Sequence, residues 1–92
     1  MPMRFEWDEA KNRTNIGKHG IGFRDAKQVF AGLTVTIRDD RVDYGEERFI
    51  TLGTLRGHVI VIVHTESDEV IRMISARKAT TNEATAYYEE ID

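Results

Sequence analysis

The chain contains no cysteine. Disulfides and thiolate metal sites are therefore excluded, and with them zinc fingers and the stapled scaffolds of small secreted proteins. One proline and seven glycines in 92 residues leave no room for a collagenous or low-complexity architecture. No apolar run approaches the roughly 18 residues that a membrane-spanning helix requires. Met1-Pro2-Met3-Arg4 leads straight into charged sequence without a signal-peptide core, so the expected location is cytoplasmic, with no membrane partner. An excess of positive charge is lacking too: 13 basic against 16 acidic residues give a net charge of -3. Binding of nucleic acid through bulk electrostatics is not expected from such a balance.

What is present describes an ordinary globular protein. Hydrophobic residues make up 40% and charged residues 32% of the chain, which rules out global disorder. A chain of this length buries only about 60 to 65% of its unfolded surface, enough for one core, so residues 1–92 are expected to form a single domain. The charge is unevenly spread. Residues 1–38 carry seven basic and four acidic groups, residues 39–71 three and eight, and residues 72–92 three and four, with Arg72, Arg77 and Lys78 close together. A local basic cleft on an acidic body is compatible with that distribution.

Asp8 follows the short apolar piece Phe5-Glu6-Trp7 and is a suitable N-cap for a helix through Ile16, ending near Gly17 to Gly20. The apolar stripe of that helix is little more than Ala10 and Ile16, so it is expected at the surface, anchored by Trp7 and Phe5. Phe23, Ala26, Lys27 and Phe30 recur at helical spacing and predict a second helix, stopped by Gly32. The period then changes to two. Strands are predicted over 33–38, 48–54, 58–65 and 70–77, joined by an acidic loop from Asp39 to Glu46 and by turns at Leu55-Arg56-Gly57 and Ser67-Asp68-Glu69. The β-branched run Val59 to Val63 fits a central strand covered on both faces. Thr80 and Glu83 have capping-box spacing ahead of a closing helix. The resulting class is α+β: two N-terminal helices, a four-stranded antiparallel meander and a C-terminal helix, with the helices on one face of the sheet.

No phosphate-binding loop, nucleophile elbow or convincing set of metal ligands is found. His58 and His64 lie about 20 Å apart along one strand and cannot share an ion. Lys18 and His19 end the first helix, where the helix dipole favours cations; they could equally project from a glycine-flanked turn towards a phosphate. His64 closes the most apolar strand, as a packed histidine or as an acid or base at a cleft mouth. Glu46-Glu47-Arg48 opens a strand with a local ion pair. Arg72 interrupts an inner strand, where it needs either a carboxylate or a cleft. Strict alternation puts Arg72 and Arg77 on opposite faces unless the strand bulges between them. Tyr87 and Tyr88 diverge by about 100° on a helix, so one packs and the other is free for a base or a partner.

Phe5-Glu6-Trp7-Asp8, Lys11, Asn15, Lys18-His19-Gly20-Ile21, Phe23, Ala26, Val29-Phe30, Gly45-Glu46-Glu47-Arg48, Arg72-Met73-Ile74-Ser75-Ala76-Arg77, Glu83 and Tyr87 together resemble the BrnT family of type II toxins, over nearly the whole chain. The resemblance implies a RelE-like toxin fold and a metal-independent endoribonuclease that arrests growth. It also implies neutralisation by a BrnA-type antitoxin, with operator DNA reached only through that antitoxin. The chemistry implied is attack of a ribose 2'-hydroxyl on the adjacent phosphate, which needs a base, cations around the developing charge and an acid for the leaving oxygen. The matching positions are Lys18, His19, Glu47, Arg48, Arg72 and Arg77: His19 or Glu47 as base, Lys18 and Arg72 as clamps, Arg77 at the leaving group or as a further clamp. Lys78, Tyr87 and His64 are expected to contact substrate, and no metal or cofactor is expected. The competing class is a non-catalytic protein-binding module, which predicts expression without toxicity.

Overall fold

The computed structural model describes residues 4–40 and 45–92. In chain order the elements are β1 (Arg4–Glu6), α1 (Glu9–His19), α2 (Phe23–Ala26) continued by a 3-10 turn (Lys27–Ala31), β2 (Val35–Asp39), β3 (Arg48–Leu55), β4 (His58–Ser67), β5 (Val70–Lys78) and α3 (Thr81–Ile91). The acidic connection expected after Asp39 falls partly on residues 41–44, outside the described residues, and Asp39 itself is a buried strand residue.

The four predicted strands are present as an antiparallel meander, and a fifth joins them. The sheet order is β1-β5-β4-β3-β2, with β1 parallel to β5 through Arg4↔Val70, Phe5↔Ile71 and Glu6↔Arg72. The sheet is therefore five-stranded and mixed. Three residues are too few to show a period of two, and this strand exists only because a partner distant in sequence supplies its hydrogen bonds.

The helices do not share one face. Gly53 of β3 lies under the 3-10 turn, where an added Cβ would stand 2.3 Å from Val29 Cγ1. The face carrying Gly53, Thr51, Ile60 and Ile62 thus receives the N-terminal helices, and Phe23, Ala26 and Val29 join Ile60, Ile62, Ile71, Met73 and Ala76 in the core. The opposite face carries Ile50, Leu52 and Val61, and α3 lies against it through Tyr87. Tyr87 is 3% exposed and donates its hydroxyl to Leu33 O at 2.7 Å. With cover on both sides, Val59 to Ile62 are all buried, as the β-branched run predicts.

The first helix is not anchored by its apolar stripe. Asp8 caps it by accepting from the Ala10 and Lys11 amides, and it ends in left-handed Gly20. Trp7 packs edge-on against Phe23, but the link to the sheet is the buried Asn15. Its Nδ2 donates to Ala76 O and to Ile21 O, both at 2.8 Å, and its Oδ1 accepts from Ala76 N at 3.1 Å. Since β1 covers β5 only from Val70 to Arg72, the exposed edge beyond would leave Ala76 unpaired; the Asn15 amide pairs with it as a strand residue would.

Replacing Asn15 by Ala strands two carbonyls and an amide in a dry setting. An Asn15→Ala chain should lose about 3 kcal/mol of stability. Thermal unfolding should show that loss as a fall in midpoint of roughly 15 °C.

Candidate active site

β5 contains one irregularity. Its pairing with β4 runs Val61↔Arg77, Ile62↔Ala76 and Val63↔Ser75, then shifts to His64↔Met73 and Thr65↔Arg72. Ile74 is the extra residue, and it resets the alternation. Arg72 and Arg77, an odd number of residues apart, consequently share the face of Val61, Val63 and Thr65. Arg48 has the parity of Ile50 and Leu52 and lies on that face as well. In the order β3-β4-β5, Arg48, Thr65 and Arg72 follow across adjacent strands, so the two arginine backbones are roughly 10 Å apart. Arg77 stands further along β5, on the order of 15 Å from Arg72.

Lys18 and His19 arrive from another direction. Lys11, Thr14, Asn15 and Lys18 recur at helical spacing on the side of α1 that faces β5. With Asp8, His19, Ile74 and Ser75 they line a groove of about 320 Å3. Ser75 faces the same way as Val63, so the groove opens onto the arginine face. The charge of Arg72 also reaches Asp8 at the other end of the groove, although the Lys11 and Ala10 amides are what chiefly hold that carboxyl below its usual range.

Lys18, His19, Arg48, Arg72 and Arg77 form separate groups along this face and groove. Glu47 instead pairs with Arg38, which shares the Phe49 side of the sheet, and Lys78, opposite Ile60, alternates away from Arg77. Four of the candidates are engaged by neighbours. Arg72 pairs with Glu6 at 3.2 Å, Arg48 with Glu46 at 3.4 Å, and Glu47 with Arg38 at 3.4 Å. The Arg72–Glu6 and Arg38–Glu47 pairs are exposed, and such pairs contribute about 0 to 1 kcal/mol, so a phosphate can compete for Arg72, whereas Arg48 is half-buried. Arg77 is held more firmly. Its two terminal nitrogens donate to both carboxylate oxygens of Glu83 at 2.8 and 2.9 Å. Glu83 also completes the capping box with Thr80. The Arg77 guanidinium is the main reason that the Glu83 carboxyl is lowered to about 2, with the Thr80 amide assisting.

His64 and Tyr87 do not occupy positions from which they can contact substrate. His64 is fully buried, its ring edge-on to Phe30 and stacked on Phe49, and Nε2 shares a 2.7 Å hydrogen bond with Thr51 Oγ1. Thr51 Oγ1 in turn shares a hydrogen bond with Thr36 Oγ1. Burial pushes the imidazole down to about 4; the Thr65 backbone acts weakly the other way, though no partner reaches Nδ1 in hydrogen-bond geometry. Regular alternation along β4 turns His64 to the core face with Ile60 and Ile62, where Thr51 satisfies Nε2. Tyr87 is the packing member of the tyrosine pair, and Tyr88 is 48% exposed. Lys78 ends β5 beside a cleft that it shares with His58 and Tyr88. Among the described residues, no three His, Asp or Glu side chains cluster closely enough to hold a metal ion.

A profile of the BrnT family, ribonuclease toxins of type II toxin-antitoxin systems, matches residues 7–83. The chain belongs to the BrnT family. It is also similar to the Brucella abortus ribonuclease toxin BrnT, known from a 1.1 Å crystal structure. The TM-score is 0.65 at 27% identity, covering 86% of this chain and 99% of that one. No curated protein matches the chain. The family match spans the residues of the groove, the arginine face and Glu83. Thr14 lines the groove without having been singled out from the sequence; the spacing Lys11, Thr14, Asn15, Lys18 is the signal that marks it.

The buried neutral His64 gives a pH dependence whose sign follows from its lowered value. The imidazole of the unfolded chain takes up a proton near 6.5, whereas in the fold it does so only near 4. The stability it contributes is complete above 6.5 and is lost as the pH falls towards 4, by about 3 kcal/mol in total. Urea unfolding across that window should show the decline. A His64→Leu chain should lack it while retaining the separate loss below pH 4.5 that comes with protonation of Glu83.

Proposed function

We propose that this BrnT-family toxin, as a single domain over residues 1–92, is a metal-independent endoribonuclease of RelE-like kinship that acts in the cytoplasm. It arrests growth by cleaving RNA and is neutralised by a BrnA-type antitoxin, through which alone it meets operator DNA. The observation that carries this reading is the bulge at Ile74, which turns Arg72 and Arg77 to the same side of the sheet as Arg48. Three guanidiniums on one face offset the acidic body locally, and the weak exposed carboxylate of Glu6 holds Arg72 in place until a phosphate replaces it.

The chemistry requires a proton to leave the ribose 2'-oxygen as that oxygen attacks phosphorus, and another to reach the departing 5'-oxygen. Arg48 and Arg72 stabilise the charge that develops on the non-bridging oxygens, and Lys18 holds the backbone at the groove. His19 takes the 2'-proton from the rim of the groove, or Glu47 does so from its exposed position just before β3. Arg77 adds charge from within its pair with Glu83, at the leaving group or as a further clamp. Lys78 supplies a further cation at the end of β5, in the neighbouring cleft with His58 and Tyr88. Since these side chains are spread along the face and the groove, the substrate is a strand gripped at more than one phosphate.

Induction of the wild-type chain should halt growth with RNA decay, and purified protein should keep cleaving RNA in the presence of a chelator. Arg72→Ala, at equal folded yield, should slow cleavage by on the order of 100-fold. Equal decay would remove Arg72 from the site. Expression of the wild type without toxicity would favour a binding module.

A further inference from the structure

The face of the sheet that α3 crosses also carries an apolar groove beside the arginine row. Val35, Ile37, Ile50 and Leu52 line it under Tyr87 and Glu90, enclosing about 300 Å3. Two of the most exposed large apolar side chains among the described residues belong to the same part of the chain: Leu33 is 70% exposed and Ile37 54%. β2 is the terminal strand of the sheet, so its outer backbone edge has no strand partner among the described residues. An open edge with apolar side chains at its surface invites pairing with another chain.

The surrounding charge discriminates between occupants. Residues 81–92 contain Glu83, Glu89, Glu90 and Asp92 and no basic residue. Glu83 is engaged by Arg77, and three acids are left along the helix and its end. An RNA backbone is repelled by such a rim. A second copy joined edge to edge through β2 would bring two acidic helices together over one seam. A segment with apolar residues for the groove and Lys or Arg at its flanks matches both properties.

We propose that the groove between β2 and α3 docks an apolar, base-flanked segment of the cognate antitoxin, laid along the open edge of β2. This rests on the toxin reading above. Ile50 lies two residues from Arg48 on the same face, so a segment seated over Ile50 ends beside the arginine row and obstructs RNA there.

The probe is the small protein encoded next to the toxin gene, tested against the full-length toxin. Leu33→Glu with Ile37→Glu should leave growth arrest intact, because neither residue belongs to the proposed cleavage machinery. It should weaken binding of the neighbouring protein by on the order of 100-fold and abolish rescue of growth. Glu89→Lys with Glu90→Lys should weaken binding about tenfold, less so at high salt. Hydrogen exchange on the wild-type complex should show protection at residues 35–39 and 83–90, which decides the matter should the first variant fail to fold. Protection confined elsewhere, or rescue of both variants at wild-type affinity, would overturn the docking site while leaving the toxin reading intact. A self-dimer of the isolated chain that the Leu33/Ile37 variant dissolves would also overturn it, by assigning the groove to a second copy. Growth arrest that fails in the wild type would instead count against the toxin reading itself.

Discussion

The contact between Asn15 and Ala76 is the constraint on which the rest of the molecule depends. One side-chain amide supplies a donor and an acceptor to a backbone that has run past the end of its parallel partner, and a second donation ties in the loop at Ile21. The helix that carries Asn15 has almost no apolar face of its own, so hydrophobic burial cannot hold it. Directed hydrogen bonds in a dry setting do so, and they fix both position and rotation. Lys11, Thr14 and Lys18 lie along the groove because Asn15, on the same side of the helix, is pinned beneath them.

A second local irregularity has consequences of equal reach. Without the extra residue at Ile74, strict alternation would send Arg72 and Arg77 to opposite sides of β5. The bulge keeps Ile71, Met73 and Ala76 in the core while placing both arginines outside it. It also lies where the groove under α1 meets the sheet, through Ile74 and Ser75. The same departure from regular pairing therefore shapes both the groove and the charged face, and the BrnT signature spans both.

Much of this was legible before any coordinates. The periodicities at Phe23–Phe30 and across the four meander strands, the capping box at Thr80 and Glu83, and the central position of Val59–Val63 follow from local patterns, and local patterns are what a sequence displays. The parallel strand at Arg4–Glu6 was not legible, because a three-residue strand is defined by its partner. The placement of α3 across the sheet from α2 was not legible either, since both helices have one packing side and nothing local says which face receives it. The family resemblance supplied the candidate residues, but not the fact that Arg48, Arg72, Arg77 and Glu47 each have an ion-pair partner. Burial of His64 was foreseeable as one of two readings. Its place in the alternation of β4, on the side of Ile60 and Ile62, decided between them.

Glu83 serves two structures at once. Its carboxylate closes the first turn of α3 through the Thr80 amide and, with both oxygens, grips Arg77. Unwinding that turn therefore loosens the guanidinium, and drawing the guanidinium away onto another anion removes the cap that keeps the turn wound. Helix order and cation release are two readings of one equilibrium, so any molecule that captures Arg77 would be felt as fraying at the start of the terminal helix, several residues from where it is bound.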